Sequence, residues 1–251
     1  MLKRILRRAA APEAPSRLPE GRRVYAVGDV HGCDAAFARL LDRIVADDRA
    51  RAPAHTSVVL LGDLVDRGPD SAGVVARAMA LAQGPFEARF LLGNHEEMML
   101  GAYDGEADAL RGFCRNGGRE TLLSYGLAPE EYERLDYHEV AAAMQGIVPA
   151  AHVAFLRGME DMLQIGDYAF VHAGVRPGVA LAEQSARDLR WIRRSFLEHD
   201  GRHERVIVHG HTIEPEPVNR RWRIGVDTGA YAGGPLTALV LDGEERAFLS
   251  A

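Results

Sequence analysis

Cysteine is scarce. Only Cys33 and Cys114 occur among the 251 residues. Two such residues make neither a disulfide framework nor a zinc-finger spacing, and a reducing cytoplasm is the natural compartment for such a chain. Long apolar runs are also missing. None approaches the ~18 residues that cross a bilayer, so no transmembrane segment is expected. Positive charge is not in excess either. The formal net charge is −6 and no basic stripe dominates, which argues against nucleic acid as a partner. There is no internal repeat. What remains is an apolar fraction of 47% and a charged fraction of 26%, the balance of an ordinary globular protein with one large domain or two small ones.

The first segment departs from this average. Lys3, Arg4, Arg7 and Arg8 stand among Leu2, Ile5 and Leu6, and the apolar core of a secretory signal does not follow. A Pro-rich linker, "APEAPSRLPEG", comes next. Residues 1–20 therefore read as a basic, Pro-rich tail and residues 21–251 as the globular part. The tail is expected to be a loose arm, with weak contact between residues 1–8 and an anionic membrane surface as the functional alternative.

From Gly21 onward, short apolar runs end in polar loops containing glycine, and helical patterns follow. "VYAV" leads to Asp29, "SVVLL" to Asp63 and "RFLL" to Asn94. Phe37, Leu40, Leu41, Ile44 and Val45 recur at helical spacing, with Asp34 placed to cap them; Ser71 is placed to cap a second helix through Val74, Val75 and Ala78. Residues 104–161 lack strand-like runs and read as a helical cap. Strands return before His172, His211 and Thr228, and near the end in "LTALVL". Apolar runs without alternation, separated by helices, suggest an α/β arrangement with a sheet covered on both faces. Ligands gather beyond the carboxyl ends of such strands.

The residues that close these strands carry the chemistry. Asp29 and His31 follow the first, Asp63, Asp66 and Arg67 the second, and Asn94, His95 and Glu96 the third. His172 follows a later strand, and His209 and His211 another. Taken singly, each is an ordinary turn residue or structural histidine. Together they bring carboxylate, imidazole and carboxamide groups to one end of a sheet, a mix that suits manganese, iron or zinc. The supply exceeds one tetrahedral shell, so two ions are expected, as in the paired-cation sites that serve in-line displacement at phosphorus.

"GDVHGC", "GDLVDRGP", "GNHEEMM", "VHAG" and "GHT…VDTGA", in this order from Val24 to Leu241, resemble the PPP-type metallophosphoesterases. Within these the pattern is most similar to bacterial serine/threonine phosphatases of the bacteriophage lambda kind. The resemblance implies an α/β (α+β) fold: a calcineurin-like β-sandwich of mixed sheets flanked by helices, with the helical cap inserted. It implies two divalent ions, manganese first with iron or zinc as alternatives, sharing a hydroxide that attacks phosphorus. Asp29 and His31 would bind one ion, Asn94, His172 and His211 the other, and Asp63 would bridge them. His95 would be the general acid, oriented by Asp66. Arg67 would grip phosphate, and Arg193 in "WIRR" fits the place of a second arginine.

Three functions compete on these residues. The first is phosphomonoester hydrolysis, on phosphoserine or phosphothreonine in proteins or on small phosphoesters. The second is hydrolysis of symmetrical dinucleoside tetraphosphates, by enzymes that tend to carry alanine in place of Asp66 and "GNHD" in place of "GNHE". The third is a scaffold of the same fold without catalysis. Asp66 and Glu96 put the protein phosphatase first. His209 is left outside the ligand set, Asp227 and Thr228 are expected to support the histidine loops, and His55, His138, His152, His199 and His203 are expected at the surface.

Overall fold

The computed structural model describes residues 15–251. Of the expected tail, residues 1–14 lie outside the described residues, and with them the proposed surface contact of residues 1–8. The part that is described packs against the body. Tyr168 Oη donates to the Ser16 carbonyl at 3.1 Å, the Leu18 amide donates to Gly243 O at 2.9 Å, and the Leu18 side chain is buried.

Two five-stranded mixed sheets form the centre. The first has the order β10-β9-β1-β2-β3, from β1 (Arg22–Val27), β2 (His55–Leu60), β3 (Glu87–Phe90), β9 (Thr237–Asp242) and β10 (Glu245–Ser250). The second has the order β4-β5-β6-β8-β7, from β4 (Met162–Ile165), β5 (Tyr168–Val171), β6 (Val206–His209), β7 (Val218–Asn219) and β8 (Arg223–Gly225). β1, β2 and β3 run parallel, as do β5, β6 and β8.

Strand alternation builds the layers. Val24, Ala26, Val59, Leu61 and Leu239 turn to one side of the first sheet and meet Tyr168, Phe170, Val206, Val208 and Ile224 of the second. Tyr25, Val27, Val58 and Leu60 turn to the other side. There they pack on α1 (Asp34–Ala50), α2 (Ser71–Leu81) and α3 (Asn94–Tyr103). The residue pattern alone suggested one sheet with helices on both faces. The structure has the two stacked sheets that the family resemblance implied, each with one face under helices, so that both faces of each remain dry.

The stretch expected to be helical holds α4 (Ala107–Arg115), α5 (Gly118–Ser124), α6 (Pro129–Tyr132), α7 (Tyr137–Ile147) and α8 (Ala150–Arg157). Leu110, Phe113, Leu122, Met144 and Leu156 from these helices belong to the same buried cluster as Tyr25 and Leu60. On the outer face of the second sheet, α9 (Ala186–Trp191) and α10 (Arg194–Leu197) bury Leu189 and Phe196 against Val171 and Ile207. Among the described residues, no single helix is long and apolar enough to cross a membrane.

Two caps differ from expectation. Asp34 stands one residue inside α1 and pairs with Arg77 through two 2.7 Å bonds. Asp70 rather than Ser71 caps α2, accepting from the Gly73 amide at 2.8 Å, which frees the Ser71 hydroxyl for the Asp66 amide. Because sheet and helices share one core, Phe113→Ala should cost about 3–5 kcal/mol. In urea, helical circular dichroism and tryptophan fluorescence should still move in one transition; two separate transitions would show that the helices fold apart from the sheets.

Candidate metal centre

Loops leaving the carboxyl ends of β1, β2, β3, β5, β6 and β8 converge at one edge of the sandwich. Half of them come from each sheet, so the centre is built across the sandwich that the resemblance implied and not at the end of one sheet. Asp29, His31, Asp63, Asp66, Asn94, His95, His172, His211 and Asp227 are all buried there.

The backbone is forced into unusual shapes to bring them together. The five non-glycine residues with positive φ among the described residues are His31, Asp63, Asp66, Arg67 and His211, at 44°, 52°, 72°, 69° and 65°. Such conformations each cost on the order of 1–3 kcal/mol and persist only where the surroundings over-determine them. Glycine makes room beside them. A Cβ at Gly93 would lie 2.2 Å from Asp63 Oδ1, and one at Gly210 would lie 2.1 Å from Asp29 Oδ1.

Glu96 fastens the central loop. Its Oε2 accepts from the Asp63 and Gly93 amides at 2.8 and 3.0 Å, and its Oε1 from the Leu64 and Val65 amides at 2.7 and 3.2 Å. One buried carboxylate thus meets four amides that the sharp turn would leave unpaired.

The hydrogen bonds fix the histidine tautomers. Nδ1 of His31 lies 2.8 Å from the Val65 carbonyl, and Nδ1 of His172 lies 2.9 Å from the Leu61 carbonyl. A carbonyl only accepts, so each Nδ1 carries the proton and each Nε2 keeps a lone pair. Those lone pairs face the Asp63 carboxylate, with Oδ2 at 3.5 Å from His31 Nε2 and 3.4 Å from His172 Nε2. Asn94 Oδ1 stands 3.0 Å and His211 Nδ1 3.1 Å from His172 Nε2. His211 Nε2 is buried without a hydrogen-bond partner among the described residues.

This is a nest of acceptors, and it requires positive charge. Burial opposes a proton on His172, but Asp63 outweighs burial and pushes the ring up to about 10. Burial would raise Asp63, but His172, His95 and His31 hold it well below the usual carboxylate range. His31 and His211 are pushed down by burial to about 3 and about 2, so their rings are neutral and free to donate a lone pair. Burial, together with Asp227, pushes Asp29 well above the usual carboxylate range. Among the described residues, two groups have geometry able to hold an ion, His31–Asp63–His95 and Asp63–His172–His211, with ligand atoms within 4.8 Å of one another. Asp63 belongs to both. Asp29 lies outside both, and its two oxygens accept from the His211 amide, each at 3.0 Å.

His95 faces the same centre and is tethered from behind. Its Nδ1 lies 2.7 Å from Asp66 Oδ2, and its Nε2 lies 4.0 Å from Asp63 Oδ2. Thr121 Oγ1 donates to Asp66 Oδ1 at 2.7 Å. Burial opposes charge on His95, but Asp63 and Asp66 overcome it and raise its pKa. Arg67 Nη1 donates to His31 Nε2 at 2.8 Å, so the guanidinium and a cation compete for that lone pair. Arg193 is exposed at the start of α10, near enough to His211 for its charge to lower that ring.

The structure also places residues that the sequence reading left aside. His209 is buried rather than at the centre: its Nε2 accepts from Arg223 at 3.2 Å, and its ring meets Phe196 edge-on. His203, expected at the surface, is buried as well. Asp227 accepts from the Gly229 amide at 3.0 Å, and Thr228 bonds Pro235 O at 2.6 Å, so both brace the loop that carries Tyr231. Tyr231 and Thr121 were missed. Neither stands in a motif, and only the folded chain brings them to Arg67 and Asp66.

Comparison with known proteins gives this geometry a context. The chain is 34% identical over 186 residues to a symmetrical bis(5'-nucleosyl)-tetraphosphatase of Acidovorax sp. strain JS42, covering 73% of this chain and 51% of that protein. It thus spans about half the length of that relative. It is 28% identical to the asymmetrical bis(5'-nucleosyl)-tetraphosphatase PrpE of Anoxybacillus flavithermus, over 85% of this chain and 88% of the relative. Among solved structures, a candidate diadenosine tetraphosphatase superposes with a TM-score of 0.63 at 22% identity, covering 93% of this chain and 96% of that one. A family model described as calcineurin-like phosphoesterase matches residues 22–228, which takes in every loop of the centre except the Tyr231 turn, and the chain belongs to that family of metallophosphoesterases.

Proposed function

We propose that this metallophosphoesterase hydrolyses dinucleoside tetraphosphates. What carries the reading is the likeness to both the symmetrical and the asymmetrical tetraphosphatases, the latter along most of both chains. It reverses the order reached from the residues alone, where the protein phosphatase came first.

Asp29, His31 and Asp63 would hold one divalent ion and Asp63, Asn94, His172 and His211 the other, with manganese the first candidate and iron or zinc the alternatives. When bound, such a pair brings a water's pKa toward neutrality and offsets phosphate charge. The remaining work falls to the chain. Arg67, with its planar fork, and Arg193 at the rim would bind non-bridging phosphate oxygens. His95 would give its Nε2 proton to the departing oxygen, while Asp66, held by Thr121, keeps the ring turned and charged. Asp29 would also fix the His211 loop through the amide bonds it already makes.

A second reading, phosphomonoester hydrolysis on phosphoserine or phosphothreonine, is favoured by the buried His95–Asp66–Thr121 chain. An alkoxide is a poor leaving group and needs a proton; a phosphate leaving from an anhydride needs it far less. With manganese supplied, kcat/KM for a dinucleoside tetraphosphate should exceed that for a phosphoserine peptide. The opposite order would favour the protein phosphatase, and background rates on both would leave a non-catalytic scaffold.

His95→Asn should keep its metal and lose about 10²–10⁴-fold in kcat on an alkyl phosphoester. An unchanged rate would place the acid elsewhere. Asp63→Asn should lower the metal content from about two ions per chain to below one, since one carboxylate serves both positions. Loss of a single ion by elemental analysis would argue against sharing.

A further inference from the structure

We propose that Tyr231 is the positioning residue for Arg67 and fixes where its guanidinium meets substrate phosphate. The inference rests on the reading above that Arg67 binds phosphate. Arg67 Cζ lies 4.7 Å from the centroid of the Tyr231 ring, and the same ring meets His31 edge-on at 5.0 Å and 82°. Tyr231 is 37% exposed, one of few large apolar side chains left so open. Burial in the core does not account for such a placement.

The loop around Tyr231 is built to hold it. A 3₁₀ turn, Ala230–Ala232, lies between Gly229 and Gly233, whose φ values are 73° and 94°. The Ala232 and Gly234 amides both donate to Gly229 O, at 2.9 and 3.0 Å, and Asp227 and Thr228 anchor the base of the loop. The aromatic ring is thus carried on a short, closed turn rather than on a free loop.

Arg67 needs such a support. Its backbone is fixed, with φ at 69° and its amide donating to Gly117 O at 3.1 Å, but its side chain is long. Among the described residues, the guanidinium is held by His31 Nε2 and the face of Tyr231. The first requires the lone pair that a cation at Asp63 would take. The ring face requires no lone pair, so it is the contact that persists when the centre is loaded. Tyr231 then keeps the fork near the ions while leaving its N–H groups free for phosphate oxygens.

A double-mutant cycle on phosphate binding tests this. The manganese-loaded protein is titrated with inorganic phosphate by calorimetry at fixed ionic strength. Tyr231→Ala should weaken binding about 3–10-fold, the size of a half-exposed cation–π contact, and Tyr231→Phe should stay within about twofold of the native protein. In an Arg67→Ala background, Tyr231→Ala should add nothing. Equal weakening with and without Arg67 would overturn the proposal, as would no effect of Tyr231→Ala or no phosphate binding by the native protein. Failure of the substrate reading would look different: the coupling would be intact, upholding the role of Tyr231, while neither phosphoester nor dinucleoside tetraphosphate was turned over.

Discussion

Asp63 is a buried carboxylate whose outer oxygen faces two imidazole nitrogens that, in the neutral rings, are acceptors like itself, since each ring's first proton goes to a carbonyl behind it. Acceptor against acceptor repels, and burial removes the water that would screen the repulsion. The contact is stable only with positive charge between the groups. A proton on His172 supplies one charge, and two divalent ions supply four. The tautomers that create the problem are themselves imposed by the Val65 and Leu61 carbonyls behind the rings. The fold therefore presents these nitrogens and the carboxylate to positive charge, whether a proton or a metal ion.

That arrangement comes with a distorted backbone. His31, Asp63, Asp66, Arg67 and His211, all on the loops that meet at the centre, have positive φ. Each such turn strands amide groups, and carboxylates inside the protein collect them. Glu96 takes four, and Asp29 takes the amide of His211 with both oxygens. Two of the acids nearest the centre are thus occupied with backbone, and Asp66 with His95. Asp63 is the one whose outer oxygen is left facing the His31 and His172 nitrogens.

β1, β2, β5 and β6 were legible because they are buried on both faces along most of their length and so read as apolar runs. β4, β7 and β10 were not, being short or edge strands whose residues are half-exposed and mixed in character. The second sheet was legible only through the family resemblance, which implied a sandwich of mixed sheets: an apolar run by itself shows that a strand is covered on both faces, not whether a helix or another sheet covers it. The residues of the centre were legible because each sits one to five positions beyond a run, in a short loop that also holds glycine. Thr121 and Tyr231 reach the site from a helix and a late turn, and no spacing joins them to Asp66 or Arg67. His209 repeats the lesson in reverse. It sits in a motif, yet as the last residue of β6 its side chain turns to Phe196 and Arg223 on the helical face.

Family membership and the acceptor nest bear on a shared cation pair from independent directions, one from sequence and one from hydrogen-bond geometry. Substrate preference turns on different groups, Arg67, Arg193 and the His95–Asp66 pair, which lie around the centre rather than in it. The pair itself is reached most directly by diffraction from crystals grown with manganese, recorded at the manganese absorption edge. The expected map has two anomalous peaks about 3.5–4 Å apart, with an Asp63 oxygen between them. A single peak, or peaks that do not touch Asp63, would contradict the account.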